Sequence, residues 1–228
     1  SAALCRTTPN ATLPVMMWVI LPVKHLAHGK ARLQEILSDE QRQQLGYLLL
    51  VDTLRTLAAS AHVQGVTLIS SDEDISQLAD RYYARFILTE QDRGFAEDAM
   101  TAVDSVQPDS VDKVAILPAD LPCLCESDLE LLDTSHTRGI TLCEAKKDGG
   151  TNALVFTPPL SVPLLFGPDS FNRHRQAAMD RQVEVNTVVA PGLERDIDRE
   201  EDVIWLSRRP GGAAAWKYTR DIMRNSSW

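Results

Sequence analysis

Residues 113–120 read "KVAILPAD". Val114, Ala115, Ile116 and Leu117 run together without a polar break, too short for a helix, and Pro118 ends the run. The stretch is a strand, followed by a helix around 126–133. Asp120 comes just beyond it between turn-forming residues, so its carboxylate is expected to project at the carboxyl edge of a sheet.

The same alternation extends in both directions. Upstream, "MMWVILPV" (16–23) is a second apolar run ended by proline. Ser38 with Gln41 three positions on predicts a capping box, and Leu45, Leu48, Leu49, Leu54 and Leu57 fall near helical spacing, which predicts a helix over 39–59. Strands are expected at 66–70 and 84–89, a short helix from "SSDED", and a helix over 95–106. Downstream, "GITLCEA" (139–145), "NALVFT" (152–157) and "VEVNTVV" (183–189) read as strands, and 171–181 and 200–207 as helices, the first capped by Asp169 or Ser170. Strand and helix alternate through most of the chain. That pattern predicts an α/β fold with a mostly parallel sheet covered by helices on both faces. Residues 1–15 read as a tag remnant or N-terminal extension, 16–208 as the folded domain, and 209–228 as a tail. "RRPGGAAAWKYTRDIM" in that tail has a Gly-Gly break and a helix-compatible end. It is expected either to stay loose or to pack, across the domain or against a partner subunit in a homodimer.

Composition narrows the function. The 228 residues carry a formal net charge of −9, which argues against a non-specific grip on nucleic acid or an anionic membrane. The longest apolar run near the start is about half of what a membrane span needs. Cys5, Cys123, Cys125 and Cys143 lack zinc-site spacing and read as incidental thiols in a reducing compartment, with the cytoplasm expected.

In an open α/β sheet, ligands bind beyond the carboxyl ends of strands. "PVKHLAHGKARL" (22–33) places Lys24, Lys30 and Arg32 there, with Gly29 allowing close approach. The loop fits phosphate recognition without being a Walker A or G-x-G-x-x-G loop, and a solvated basic loop is the plain alternative. In "RDIDREED", Asp196 and Asp198 alternate, so both carboxylates face one side of an extended backbone. Together with Asp120 they have the composition of a nucleotide–magnesium site, or else they belong to an exposed acidic helix N-terminus. "KKDGGTNALVF" (146–156) brings Gly149-Gly150 with Thr151 and Asn152, a hydroxyl and an amide suited to an anion. "FGPDSF" repeats the device with Gly167 and Ser170 ahead of a helix.

These motifs, "PVK…GK.RL", "ADLP", "DGGTNAL", "FG..SF..H" and "DID", occur in the order and at separations similar to those of the CofC/FbiD guanylyltransferases of coenzyme F420 biosynthesis. The resemblance covers about residues 17–205. It implies a single Rossmann-like nucleotidyltransferase domain that joins GMP from GTP to 2-phospholactate, phosphoenolpyruvate or 3-phosphoglycerate and releases pyrophosphate. On matching positions it implies that Asp120, Asp196 and Asp198 hold magnesium, as two ions. Thr151, Gly167 and Ser170, with Asn152 beside them, would hold the acid, and Lys24, Lys30 and Arg32 the triphosphate. Asp120, Lys30 and Arg32 are then the catalytic set. Asp148 and His174 match without an assigned role. It further implies a transferase partner that consumes the guanylylated product. The chain departs from the family at "RGFAEDAM", where Ala96 or Glu97 stands in place of an asparagine. Glu97 is expected to accept from guanine. Two other readings stay open: the same scaffold with a sugar-phosphate or molybdopterin acceptor, and a non-catalytic nucleotide-binding module.

Overall fold

The computed structural model describes residues 16–106 and 111–225. The expected extension, with Cys5, lies outside them. Among the described residues one sheet of seven strands runs in the order β3-β2-β1-β4-β6-β5-β7. Its strands are β1 (Met17–Pro22), β2 (Val63–Ser70), β3 (Arg85–Leu88), β4 (Lys113–Ile116), β5 (Ile140–Ala145), β6 (Gly150–Phe156) and β7 (Val185–Val188). The helices are α1 (Asp39–Ala59), α2 (Ser76–Arg81), α3 (Phe95–Ser105), α4 (Glu126–Ser135), α5 (Ser170–Asp180), α6 (Glu200–Arg208) and α7 (Ala214–Asn225). The α/β fold expected from the alternation is the one found.

The central strand shows why both faces are covered. Successive side chains on a strand point to opposite faces. Met17, Val19 and Leu21 of β1 join a core with Leu50, Leu54 and Leu57 of α1, Leu78 of α2, and Leu129 and Leu132 of α4. Ile20 goes to the other face with Ala99 and Ala102 of α3 and Ala178 of α5. The uninterrupted apolar runs read from sequence are therefore strands buried on both sides.

The capping box forms as expected: Gln41 N–H donates to Ser38 Oγ at 3.3 Å, and Ser38 N–H donates to Gln41 Oε1 at 2.9 Å. The tail packs across the domain. Leu45 and Leu49 on the outer side of α1 meet Val203 and Leu206 of α6 and Ala215 of α7 in a third core. Asp52 of α1, nearly buried, accepts from the backbone N–H groups of Ala214 (3.1 Å) and Ala215 (2.8 Å), so a carboxylate of one helix caps the start of another. Such a cap is worth about 1 kcal/mol. Cys123, Cys125 and Cys143 are free thiols. Among the described residues no helix is long and apolar enough to cross a membrane.

Pairing direction positions the site. β6 pairs antiparallel with both β4 and β5, while β1–β2, β1–β4, β2–β3 and β5–β7 are parallel. The start of β6 therefore lies beside the ends of its neighbours, with Gly150 opposite Ala145 and Thr151 opposite Glu144. The "DGGTN" turn reaches the ligand edge of the sheet because its strand runs the other way.

Candidate active site

Two neighbouring cavities open at that edge, and Phe95 and Pro118 line both. The smaller, about 230 Å³, is bordered by Lys24, Gly29, Lys30, Asp120 and Asp198. The larger, about 460 Å³, is bordered by Arg32, Glu97, Asp148, Thr151, Gly167 and Asp196. Asn152 and Ser170 also reach its wall. The residues singled out from sequence thus converge on one edge of one sheet, divided between two adjoining spaces.

The basic loop is held from outside by carboxylates. Leu26 N–H donates to buried Asp72 at 2.9 Å, and His25 N–H donates to Asp92 at 3.2 Å. Lys30 itself sits in the left-handed region at φ 55°. Its ammonium pairs with Asp120, and the Arg32 guanidinium pairs with Asp198. Burial works against the Lys30 charge, but the carboxylates of Asp120, Asp198 and Asp196 outweigh it and raise the pKa above the ordinary lysine value.

β4 ends at Ile116, so Asp120 stands four residues beyond the strand. Leu117 N–H still donates to Ile20 O at 3.1 Å, and Ile197 N–H donates to Asp120 O at 3.3 Å. These bonds tie the "PAD" turn to both β1 and the "DID" segment. Ile197 is fully buried in the α1–α6–α7 core, which turns Asp196 and Asp198 outward on the same side, as the alternation predicts. Asp196 is pushed up to about 6, by burial first and then by the Asp120 carboxylate, with Lys30 and Lys147 pulling the other way.

This arrangement fits a divalent cation. Asp120 Oδ1 is buried and accepts no hydrogen bond, an arrangement costly for a carboxylate unless something else neutralises it. Two carboxylates close enough to disfavour ionisation call for a cation. Among the described residues no three His, Cys, Asp or Glu side chains stand together as a ready-made metal cage. Lys30 and Arg32 occupy Asp120 and Asp198 instead, and a magnesium ion bound with phosphate oxygens needs only a few carboxylates.

The other side of the edge sets small and hydroxyl-bearing residues beside the charges of Arg32, Asp148 and Asp196. Gly149 (φ 68°) and Gly167 (φ 122°) both take positive φ, where a side chain is strained. Asp148 Oδ1 accepts from Gly150 N–H at 2.9 Å, and Gly149 O accepts from Phe171 N–H at 3.0 Å, so the turn is locked onto the start of α5. Thr151 and Asn152 point to opposite faces of β6. Thr151 Oγ1 lies 3.0 Å from both Ser170 Oγ and His174 Nδ1. Asn152 Nδ2 donates to Leu193 O at 2.8 Å, so the amide that the sequence offers to a ligand tethers the loop leading into Asp196.

Several residue-level expectations change. Ser170 caps nothing: Asp169 precedes α5 in the left-handed region without a side-chain cap bond, and Ser170 bonds sideways to Thr151. Glu97, exposed in the first turn of α3, lines the larger cavity, whereas Lys24 and Lys30 line the smaller. The three acidic residues opening α6 are not equivalent. Asp202 is fully buried, accepts from the N–H groups of Asp198 (3.1 Å) and Arg199 (2.8 Å), and pairs with Lys147 and Arg195. It fixes the "DID" segment. Its signal in the sequence is the carboxylate three residues after Arg199, the spacing of a capping box, hidden among Glu200 and Glu201.

The family model "Guanylyl transferase CofC like" matches residues 17–226. A phosphoenolpyruvate guanylyltransferase of Roseiflexus castenholzii is 37% identical over 91% of this chain and 95% of its own. A 2-phospho-L-lactate guanylyltransferase of Methanothermobacter thermautotrophicus is 31% identical over 89% of each chain. Among solved structures, a Desulfovibrio desulfuricans G20 protein provisionally described as a nucleotide-diphospho-sugar transferase superposes with a TM-score of 0.72. It covers 92% of this chain and 97% of its own, and at 18% identity it speaks for the fold alone. The chain belongs to the CofC-like guanylyl transferase family.

Proposed function

We propose that the protein transfers GMP from GTP to a small phosphorylated carboxylic acid, with release of pyrophosphate, in coenzyme F420 biosynthesis. The acid is phosphoenolpyruvate, 2-phospho-L-lactate or 3-phosphoglycerate. The observation that carries this reading is the meeting of two unlike cavities at Asp120, Asp196 and Asp198. One sets Lys24 and Lys30 among the carboxylates and suits a triphosphate, and the other joins Thr151 and the Gly167 turn to Arg32 and suits a small anion.

Lys24 and Lys30 bind and orient the triphosphate, and Lys30 stays charged there because its carboxylate neighbours raise its pKa. Arg32, at the boundary, faces the phosphoryl group in transit. Thr151 and the Gly167 turn seat the acid in the larger cavity, with Ser170 behind them. The acid's phosphate is already anionic near neutral pH, so no side chain has to remove a proton. A phosphate oxygen attacks the α-phosphorus of GTP in line. The new P–O–P bond forms as the bond to the β-phosphate oxygen breaks, and pyrophosphate leaves with that electron pair. Asp120, Asp196 and Asp198 would hold magnesium, as two ions; bound there, it would offset charge on the bridging and leaving oxygens. Catalysis then comes from positioning and electrostatics. The guanylylated acid passes to the transferase of the same pathway.

The test is pyrophosphate release from GTP and magnesium with each acid offered separately, and with the pathway transferase and its deazaflavin acceptor present as a trap. Turnover with one of the acids is expected. Folded protein that binds GTP and releases no pyrophosphate with any of them would refute the reading.

A further inference from the structure

His174 is buried, matches a motif position, and takes no part in the mechanism above. Its two ring nitrogens nonetheless have defined partners. Nε2 accepts the backbone N–H of Leu165 at 2.8 Å. A backbone amide only donates, so Nε2 carries no proton. A neutral imidazole carries one proton, which must then sit on Nδ1, 3.0 Å from Thr151 Oγ1. An imidazolium would set N–H against N–H at Leu165. Burial, and then the neighbouring Arg173 charge, hold the His174 pKa down to about 4, against the Ser170 backbone carbonyl, which favours a ring proton. The ring is fixed edge-on by Phe166, centroids 5.1 Å apart at 72°, and Phe166 in turn packs on Phe95.

Thr151 Oγ1 therefore accepts from His174 Nδ1–H and, at 3.0 Å, from Ser170 Oγ–H. A hydroxyl oxygen has two acceptor positions, and both are filled. The remaining proton of Thr151 finds no acceptor among the described residues. Ser170 and His174 have no exposed surface, while Thr151 keeps 6%, on the wall of the larger cavity.

We infer that His174 is a positioning residue: with Ser170 it fills both lone pairs of Thr151 and makes that hydroxyl an obligate donor into the cleft. Such a donor needs an acceptor on the ligand, and the ionised oxygen of a carboxylate or phosphate is the strongest one. The inference rests on the reading of the larger cavity as the seat of the acid. It also gives Ser170 an indirect part, since its hydroxyl acts through Thr151.

Two measurements test it. In ¹⁵N-histidine-labelled wild-type protein near neutral pH, His174 should show a protonated Nδ1 and a bare Nε2. The reverse tautomer would overturn the inference whatever the enzyme's substrate, so a failure here is separate from a failure of the proposed function. Kinetically, His174→Gln can keep the acceptor for Leu165 but loses the donor to Thr151, whereas His174→Asn keeps a donor near the Nδ1 position. His174→Gln should raise KM for the acid about tenfold, the order of one charge-assisted hydrogen bond, and leave KM for GTP unchanged. His174→Asn should restore most of the loss. In a Thr151→Val background the effect of His174→Gln on the acid should vanish, because the pathway through Thr151 is gone. An undiminished effect in that background would mean that His174 acts by supporting the fold alone. If His174→Gln does not fold, the wild-type tautomer still decides.

Discussion

The two halves of the cleft solve the problem of binding anions by different means. The half built from the loops after β1 and β4 and the 196–198 segment holds full charges of both signs, paired with each other as Lys30–Asp120 and Arg32–Asp198. The half built from the start of β6 and α5 presents the Thr151 hydroxyl and turns with positive φ, backed by buried Ser170 and His174 and flanked by Asp148. Charge that develops during a reaction is best met by fixed charge, and the first half supplies it. Discrimination among similar small anions depends on shape and on the direction of hydrogen bonds, and the second half supplies those. Substitutions in the first half should therefore strike turnover and GTP, and those in the second half the acid.

The largest effect should come from Asp120→Asn. It keeps the shape but removes the charge that faces Lys30 and Asp196, so turnover should drop on the order of 10²–10³-fold, the scale of losing a main electrostatic contact. Pyrophosphate release measures this, and an unchanged circular-dichroism spectrum and melting curve would show the fold intact. Lys30→Gln is next. KM for GTP should rise on the order of 10²-fold with KM for the acid little changed, which would sharpen the division between the halves; an equal rise in both would break it.

Gly167→Ala tests the second half. Its φ of 122° strains any side chain, so stability should fall by about 1–3 kcal/mol in denaturant titration, with KM for the acid raised and that for GTP preserved.

The smallest effect is a pH dependence of stability. His174, buried behind Thr151, and His136 in the core, bonded to Thr141 and Thr157, are both held down to about 4, chiefly by burial. Their unfolded pKa is about 6.5, so between those values the unfolded chain binds more protons. Their contribution is fully present above about pH 6.5 and is lost as pH falls toward 4. The melting temperature should decline across that window. His174→Gln should flatten the decline in part and leave the share of His136, which touches neither cavity.

The sequence revealed more of the elements than of their connections. The limits of α1 could be read because the Ser38–Gln41 box and the leucine spacing are both local. The apolar runs of β1 and β4 showed buried strands because burial on both faces leaves no alternation to misread. The direction of β6 was not legible: parallel and antiparallel neighbours impose the same side-chain pattern, and the difference lies in partners distant in the chain. That direction explains why the "DGGTN" turn stands at the ligand edge. The site residues were legible by type and motif, but their hydrogen-bond partners were not. Asn152 looks like a ligand donor until Leu193 is brought beside it, and Ser170 looks like a cap until Thr151 is. Asp202 was concealed by Glu200 and Glu201, because nothing local distinguishes a buried carboxylate from exposed ones.

The most direct test of GMP transfer to a phospho-acid in this cleft is ³¹P NMR of the protein turning over GTP with magnesium and the acid that supports pyrophosphate release. The account predicts that the acid's phosphorus signal is replaced by a coupled diphosphate pair, in step with the appearance of pyrophosphate and only in the presence of the acid. Pyrophosphate formed at the same rate without the acid, or GMP accumulating while the acid's phosphorus signal stays unchanged, would contradict it.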